Sequence, residues 1–401
     1  LDNGLRIFEH GAMGNFGRTP PLQNLAFALV DALAALEVGA LVVLYATITE
    51  DLGVAEELSG YALTAYFYPL SGILFFVLLL HRRLRLLLSP QSLLLGGLLL
   101  FAGGAGLCGA APDAGTFFVG RGILGVGAGL AFTGQLWTGS SVFRPHLPVL
   151  LFWGEVGAAG GDLGGPALGA LFAGLGPEGW RLFFFVEGGV ALITCAVASR
   201  AFGARECAPK SAPPLAEPSL ELRHPGILPW QQVAVSFLLV GSLYFFSDFF
   251  QQTQNQGPLV VALGTLLASV GTVAGAFLGA RFFHASPSVP GAALGGMLLA
   301  LVALGGCLAG GYPFLAALPL AALGLFSGLA GVRLYAAMVD AALPEDFLCC
   351  TLIYLLGMQL GSALGVQVVT VSEGFGFDVL WATALLAALP AAVTAVSFLS
   401  V

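Results

Sequence analysis

Twelve apolar stretches of about 20 residues follow one another along this chain, and they leave it few ways to fold. They cover about 25–48, 58–80, 91–110, 116–138, 147–174, 181–200, 228–250, 258–282, 290–310, 313–336, 346–370 and 378–400. As a helix rising 1.5 Å per residue, each spans a hydrocarbon core about 30 Å thick. Inside lipid the backbone must satisfy its own hydrogen bonds, which a helix does without partners. Composition agrees: only 9% of residues are charged and 58% are hydrophobic, against roughly 25% charged in soluble domains. The expectation is an all-α membrane protein.

One segment interrupts the pattern. "ARECAPKSAPPLAEPSLELRHPG" (204–226) is rich in proline, charge and small residues and separates six spans from six. The expected organisation is an N-terminal cytoplasmic segment (1–24), a six-helix bundle (25–200), a cytoplasmic linker (201–227) and a second six-helix bundle (228–401). The first 24 residues are too polar and glycine-rich for a signal peptide, so the first span is expected to stay in the mature protein. Two pseudo-symmetric six-helix bundles are the architecture of many secondary transporters, with the substrate site near the midplane between them.

The cations set the expected orientation. With both termini inside, Arg6, Arg18, Arg82, Arg83, Arg85, Arg144, Arg200, Arg205, Lys210, Arg223 and Arg281 are cytoplasmic, 11 of the 14 Lys and Arg. Opposite loops are acidic, as in "TEDLGVAEEL" (49–58). This asymmetry predicts cytoplasmic termini in a bacterial inner membrane or a plasma membrane. No GxxxxGK[ST] occurs, which argues against ATP-driven pumping by this chain. The sequence has no basic patch for nucleic acid, no CxxC among its six cysteines, and no Ser/His/Asp constellation or cofactor loop. No metal, no cofactor and no enzymatic activity are therefore expected.

The fifth span carries the densest motif, "GGDLGGPALGALFAG" (160–174). Gly157, Gly161, Gly165 and Gly169 recur every four residues, forming one stripe on which a neighbouring helix can approach closely. Pro166 removes one helical hydrogen bond. Tight packing alone is one reading of these residues. The other is that "GGDLGGPALGA" (160–170) resembles the antiporter motif of the major facilitator superfamily, with Gly161, Gly165, Pro166 and Gly169 at its defining positions.

The resemblance is strongest to the drug:proton antiporter branch, whose usual members have fourteen spans. "LEVGALVVLYATITEDLGV" (36–54) is similar to that branch's first-span pattern, with Glu37 where an aspartate is usual. "GRGILGVGAGLAF" (120–132) is similar to the fourth-span pattern; its Arg121 matches an arginine that the family links to proton coupling. "GWRLFFFVEGG" (179–189) resembles the start of the sixth span, with Glu187 replacing an asparagine, and "MQLGSALGV" (358–366) resembles the eleventh. The chain also departs from the family. "VLLLHRRLRLLL" (77–88) keeps the basic charge of the loop after span two but loses its glycines and aspartate, and Leu124 stands where a glutamine is usual.

A charge at the bilayer centre costs about 2.5–3.5 kcal/mol on insertion scales, so ionisable residues within spans call for a role. Asp31, Glu37, Arg121, Glu155, Asp162, Glu187, Asp248 and Arg333 are such residues. The proton-coupling candidates are Asp162, Glu37, Arg121 and Glu155. Glu155 and Asp162 are seven residues apart, nearly on one side of the fifth span and about 10 Å apart along it; Asp162 is the more central. Arg121 is the expected counter-charge of Glu37, either as a coupling device or as a structural salt bridge. Asp31 and Glu155 lie near the cytoplasmic ends and can reach headgroup water.

Glu187 is expected in an outer vestibule. "YFFSDFFQQTQNQGP" (244–258) places Asp248, Gln251 and Gln252 in an aromatic, polar run that suits an amphipathic ligand or, alternatively, a polar exit from the membrane. Arg333, Tyr335, Tyr354 and Gln359 complete the expected substrate cavity. The expected function is export of hydrophobic or cationic small molecules in exchange for protons, by a monomer in the bilayer. A proton symporter importing a nutrient or metal chelate, and a non-transporting receptor or scaffold on a transporter fold, are the alternatives left open.

Overall fold

The structure, a computed structural model, describes residues 21–55, 58–141, 146–203, 228–282, 288–341, 347–375 and 379–399. Residues 1–20, Arg144 and nearly all of the expected linker, with Arg205, Lys210 and Arg223, lie outside the described residues. Twelve long helices account for almost everything described: α1 Pro21–Asp51, α2 Tyr61–Leu87, α3 Pro90–Gly109, α4 Ala114–Ser141, α5 Leu147–Ala173, α6 Gly179–Ala201, α7 Leu228–Asp248, α8 Pro258–Phe282, α9 Val289–Ala309, α10 Ala317–Ala341, α11 Phe347–Gly374 and α12 Val379–Leu399. No strand occurs among the described residues.

Eleven of these helices are long and apolar enough to cross a membrane. The exception, α5, has 27 residues, ample length; its glycines, Glu155 and Asp162 dilute its hydropathy. Large apolar side chains stay exposed on the outer faces, among them Phe75, Phe76, Leu192, Ile193, Phe277 and Leu299. In water such a surface would be an aggregation liability, whereas in a bilayer it is the lipid boundary.

Helix pairing repeats between the two halves. In the first, α1 packs on α5, α2 on α4, and α3 on both α4 and α6. In the second, α7 packs on α11, α8 on α10, and α9 on both α10 and α12, the same set displaced by six helices. Across the halves α2 meets α11 and α5 meets α8, two contacts that the same displacement interchanges.

The α1–α5 seam is the most intimate and follows from the glycine stripe. Gly157, Gly161, Gly165 and Gly169 face the backbone of Ala28, Ala32, Leu36 and Ala40 in turn, so two parallel helices touch along four successive turns. A Cβ on Gly165 would lie 2.7 Å from the Leu36 carbonyl oxygen and 3.0 Å from the Gly39 Cα. The Pro166 ring seats on Gly39, where a Cβ would come within 2.9 Å of the proline Cδ. Without side chains between them, the helices gain dispersion contacts along the whole seam.

Helix ends are secured by local chemistry. Asp113, just before α4, accepts a hydrogen bond from the Thr116 amide (2.8 Å) and another from its hydroxyl (3.1 Å). These bonds hold the Asp113 carboxyl below its ordinary range. At the same end, Asp51 accepts from Arg181 (3.1 Å) and from the Trp180 indole (3.2 Å). Arg181 lies over the Trp180 ring at 4.3 Å, and Trp180, Phe117 and Phe184 pack edge to face.

Candidate functional site

Three polar groupings stand out in an otherwise apolar interior. The first lies wholly within the N-terminal half. Arg121 of α4 is fully buried; its Nε donates to the Ala62 carbonyl of α2 (2.9 Å) and its Nη1 to Glu37 of α1, also fully buried. The guanidinium is flanked by the Tyr66 ring at 5.1 Å and the Phe184 ring at 5.9 Å. Three helices are thus tied to α4 by one side chain, with α6 supplying an aromatic face. Here the structure joins two residues, 84 positions apart, that the sequence reading pairs by charge alone.

Glu187 of α6 belongs to this grouping and not to a vestibule. It is 2% exposed, and Glu37 and Arg121 are its electrostatic neighbours. Its position in α6 explains why: Trp180, Phe183, Phe184, Glu187, Ala191 and Thr194 form the buried stripe, while Phe185 and Val186 face outward.

A second grouping lies between the halves. The Asp31 carboxylate of α1 accepts from the Gln135 amide of α4 (3.1 Å) and lies against Gly154 of α5. Glu155, the next residue, is exposed, and Asp162 is half-buried. Glu155 acts electrostatically on Tyr335 and Tyr354 of the C-terminal half, and Asp31 acts on Tyr335. The two tyrosine rings meet edge to face at 5.2 Å, and the Tyr354 hydroxyl donates to the Gly331 carbonyl (3.4 Å). Carboxylates from α1 and α5 are thus electrostatic neighbours of an aromatic pair from α10 and α11. Arg333 is half-buried near this pair in sequence, and Gln359 of α11 is buried at 6% exposure.

The third grouping ties the halves together at the end away from the linker. The Tyr45 hydroxyl of α1 donates to Asp248 of α7 (2.9 Å), and the Ser247 hydroxyl donates to the Val42 carbonyl (2.6 Å). Ser59 and Tyr244 share a hydrogen bond of 2.8 Å, and the Tyr45 and Tyr244 rings lie 5.1 Å apart. Gln251 donates to Ser247 (2.8 Å) from a π-helical turn, Phe249–Thr253, that ends α7; Gln252 is half-buried beside it. Asp248, expected in a substrate cavity or at a polar exit, accepts the Tyr45 hydroxyl in this contact between the halves. Tyr45, Ser59, Tyr66, Gln135 and Ser247 escape the sequence reading because hydroxyl and amide residues are frequent in spans, and only the fold shows which ones meet a charge. Tyr45 had one signal: it follows Glu37 by two turns on one face of α1.

Comparison with known proteins places this geometry in context. A bacterial homologue of the human lysosomal transporter Spinster, solved inward-facing and occupied, matches with a TM-score of 0.66 at 16% identity, over 93% of this chain and 90% of that one. Its inward-facing, unoccupied form matches with 0.66 at 14% identity, over 95% of each chain. A point mutant of the peptide transporter POT matches with 0.71 at 12% identity, over 96% of this chain and 94% of that one. At these identities the likeness is one of fold. No curated protein matches the sequence. Residues 27–366, however, match the family described as Major Facilitator Superfamily, and the chain belongs to that family.

Proposed function

We propose that this protein is a proton-coupled secondary transporter that exports hydrophobic or cationic small molecules by alternating access. What supports this reading is the second grouping, in which Asp31 and Glu155 are electrostatic neighbours of the edge-to-face Tyr335–Tyr354 pair. Carboxylates beside aromatic faces suit a lipophilic cation, which they neutralise while the rings cover its apolar body. Substrate binding at Asp31 and Glu155 displaces a proton from Glu155: its O–H bond breaks and one O–H bond forms on the Asp162 carboxylate, on the same side of α5. Arg121 and Glu37 connect this step to the packing of α1, α2 and α4. The protein works as a monomer in an inner or plasma membrane with both termini cytoplasmic, so the seal made by Tyr45, Asp248 and Ser247 closes the outer side.

The test uses purified protein in liposomes holding a pH-sensitive dye, with a panel of lipophilic cations added across an imposed proton gradient. Cation-dependent proton flux is expected, and Asp162→Asn is expected to abolish it without unfolding the protein. Folded protein that gives no flux with any cation, or full flux in Asp162→Asn, refutes the reading.

A further inference from the structure

The first grouping contains more negative charge than its cation can balance. Glu37 and Glu187 are both buried, and Arg121 is the cation beside them. Other groups reach the same space without adding positive charge: Tyr66 from α2 and Cys108 from α3, each an electrostatic neighbour of Glu37, Arg121 and Glu187. The guanidinium is committed to Glu37 and to the Ala62 carbonyl. Both Glu187 oxygens, by contrast, are buried without a hydrogen-bond partner, as are the second oxygen of Glu37 and the Tyr66 hydroxyl. A bare carboxylate in that position would lack both solvation and pairing, the least favourable way to bury a charge.

Packing gives no reason for a carboxyl there. Glu187 occupies the middle of the α6 buried stripe, where an apolar residue would fill the space as Phe183, Phe184 and Ala191 do. Phe184, three residues earlier on the same face, already lies 5.9 Å from the Arg121 guanidinium. The guanidinium is therefore held between α1, which it pairs with, and α6, which it stacks on. Two carboxyls beside one guanidinium form a neutral centre only when one of them carries a proton.

We propose that Glu187 is the proton-holding member of a three-group centre with Glu37 and Arg121: neutral while Arg121 pairs with Glu37, it becomes the partner of Arg121 when its proton passes to Glu37. The exchange is balanced. The O–H bond of the Glu187 carboxyl breaks, an O–H bond forms on the Glu37 carboxylate, and the guanidinium moves the opposite way, so the centre stays neutral. Because α1 carries Glu37 and α6 carries Glu187, the switch changes which helix Arg121 holds. The proposal rests on the proton-coupled reading above, for which it names a further carboxyl and the step it performs.

Infrared spectroscopy of the full chain in lipid vesicles, compared in H2O and D2O, resolves protonated carboxyl groups from ionised ones without any substrate. The Glu187→Gln variant is expected to lose one protonated-carboxyl component. Glu37→Gln is expected to lose the same component, because Arg121 then pairs with Glu187 and ionises it; this second variant also carries the test should the first fail to fold. Asp162→Asn should keep the component. A spectrum unchanged in Glu187→Gln, or a component that survives Glu37→Gln, overturns the proposal. Absence of proton flux in liposomes together with the expected band pattern defeats the transport reading alone, whereas flux with a band indifferent to Glu187→Gln defeats this proposal alone.

Discussion

Replacing Gly165 with alanine adds a single methyl group to α5, yet it should separate the two most closely packed helices of the protein. The new Cβ would sit 2.7 Å from the Leu36 carbonyl oxygen, 3.0 Å from the Ala40 nitrogen and 3.0 Å from the Gly39 Cα. Non-bonded carbon contacts are most favourable at about 3.5–4.0 Å, so α1 must retreat by roughly half an ångström or more. All three atoms are backbone, and no rotamer change relieves them. Overpacking of this kind costs about 1–3 kcal/mol, and here the displacement passes along α1 to Glu37. Gly164, the preceding residue of the same helix, is the internal control, since a Cβ there meets nothing within 4 Å. Gly164→Ala should be neutral or stabilising by up to about 1 kcal/mol, the usual helical preference for alanine. Thermal unfolding of both variants in detergent, followed by intrinsic fluorescence, should give a lower midpoint for Gly165→Ala and an unchanged or higher one for Gly164→Ala. Equal shifts, or a wild-type midpoint for Gly165→Ala, would refute close backbone contact as the purpose of the stripe.

Two further outcomes are expected besides those for Asp162 and Glu187. Tyr45→Phe removes the hydroxyl bonded to Asp248, a net loss of about 0.5–1.5 kcal/mol that should shift the ratio of open to closed forms by roughly two- to tenfold. Spin-label distances between Leu58 and Val371, exposed positions of opposite halves, report that ratio; an unchanged distribution rejects the seal. Asp113→Ala should lower the unfolding midpoint at neutral pH. The folded-state carboxyl is held below its ordinary 3.8 by Thr116, so its contribution is complete above 3.8 and disappears as pH falls through the lowered value. The gap between variant and wild type should therefore close only in strong acid, and a gap that is constant with pH removes the cap from the account.

The charged pair and the glycine seam were legible because each has a local signature. Four glycines at a four-residue spacing mark one helix face whatever the neighbouring helix turns out to be, and α1 proved to supply it. Arg121 and Glu37 are buried charges of opposite sign, and in a span of low dielectric such charges are found in pairs. Glu187 and Asp248 show what such signatures leave open. Distance to a helix end assigns Glu187 to a vestibule, and an aromatic, polar run assigns Asp248 either to a ligand surface or to a polar exit; neither depth nor composition says which way a side chain turns. Glu187 turns instead into its own half, and Asp248 turns across to α1.

Sequence alone was sufficient for what the bilayer imposes: twelve helices, their lengths, the break between six and six, and the face of α5 on which a neighbour could approach. These follow from hydrocarbon thickness and backbone hydrogen bonding, which act on each segment separately. Rotation of each helix about its axis was decided only in the tertiary structure. Spans apolar on nearly every side carry no amphipathic pattern to orient them, so contact with the other helices selects which side chains meet. That selection brings Glu187 into the electrostatic reach of Arg121, Asp31 and Glu155 into that of Tyr335 and Tyr354, and joins Tyr45 to Asp248.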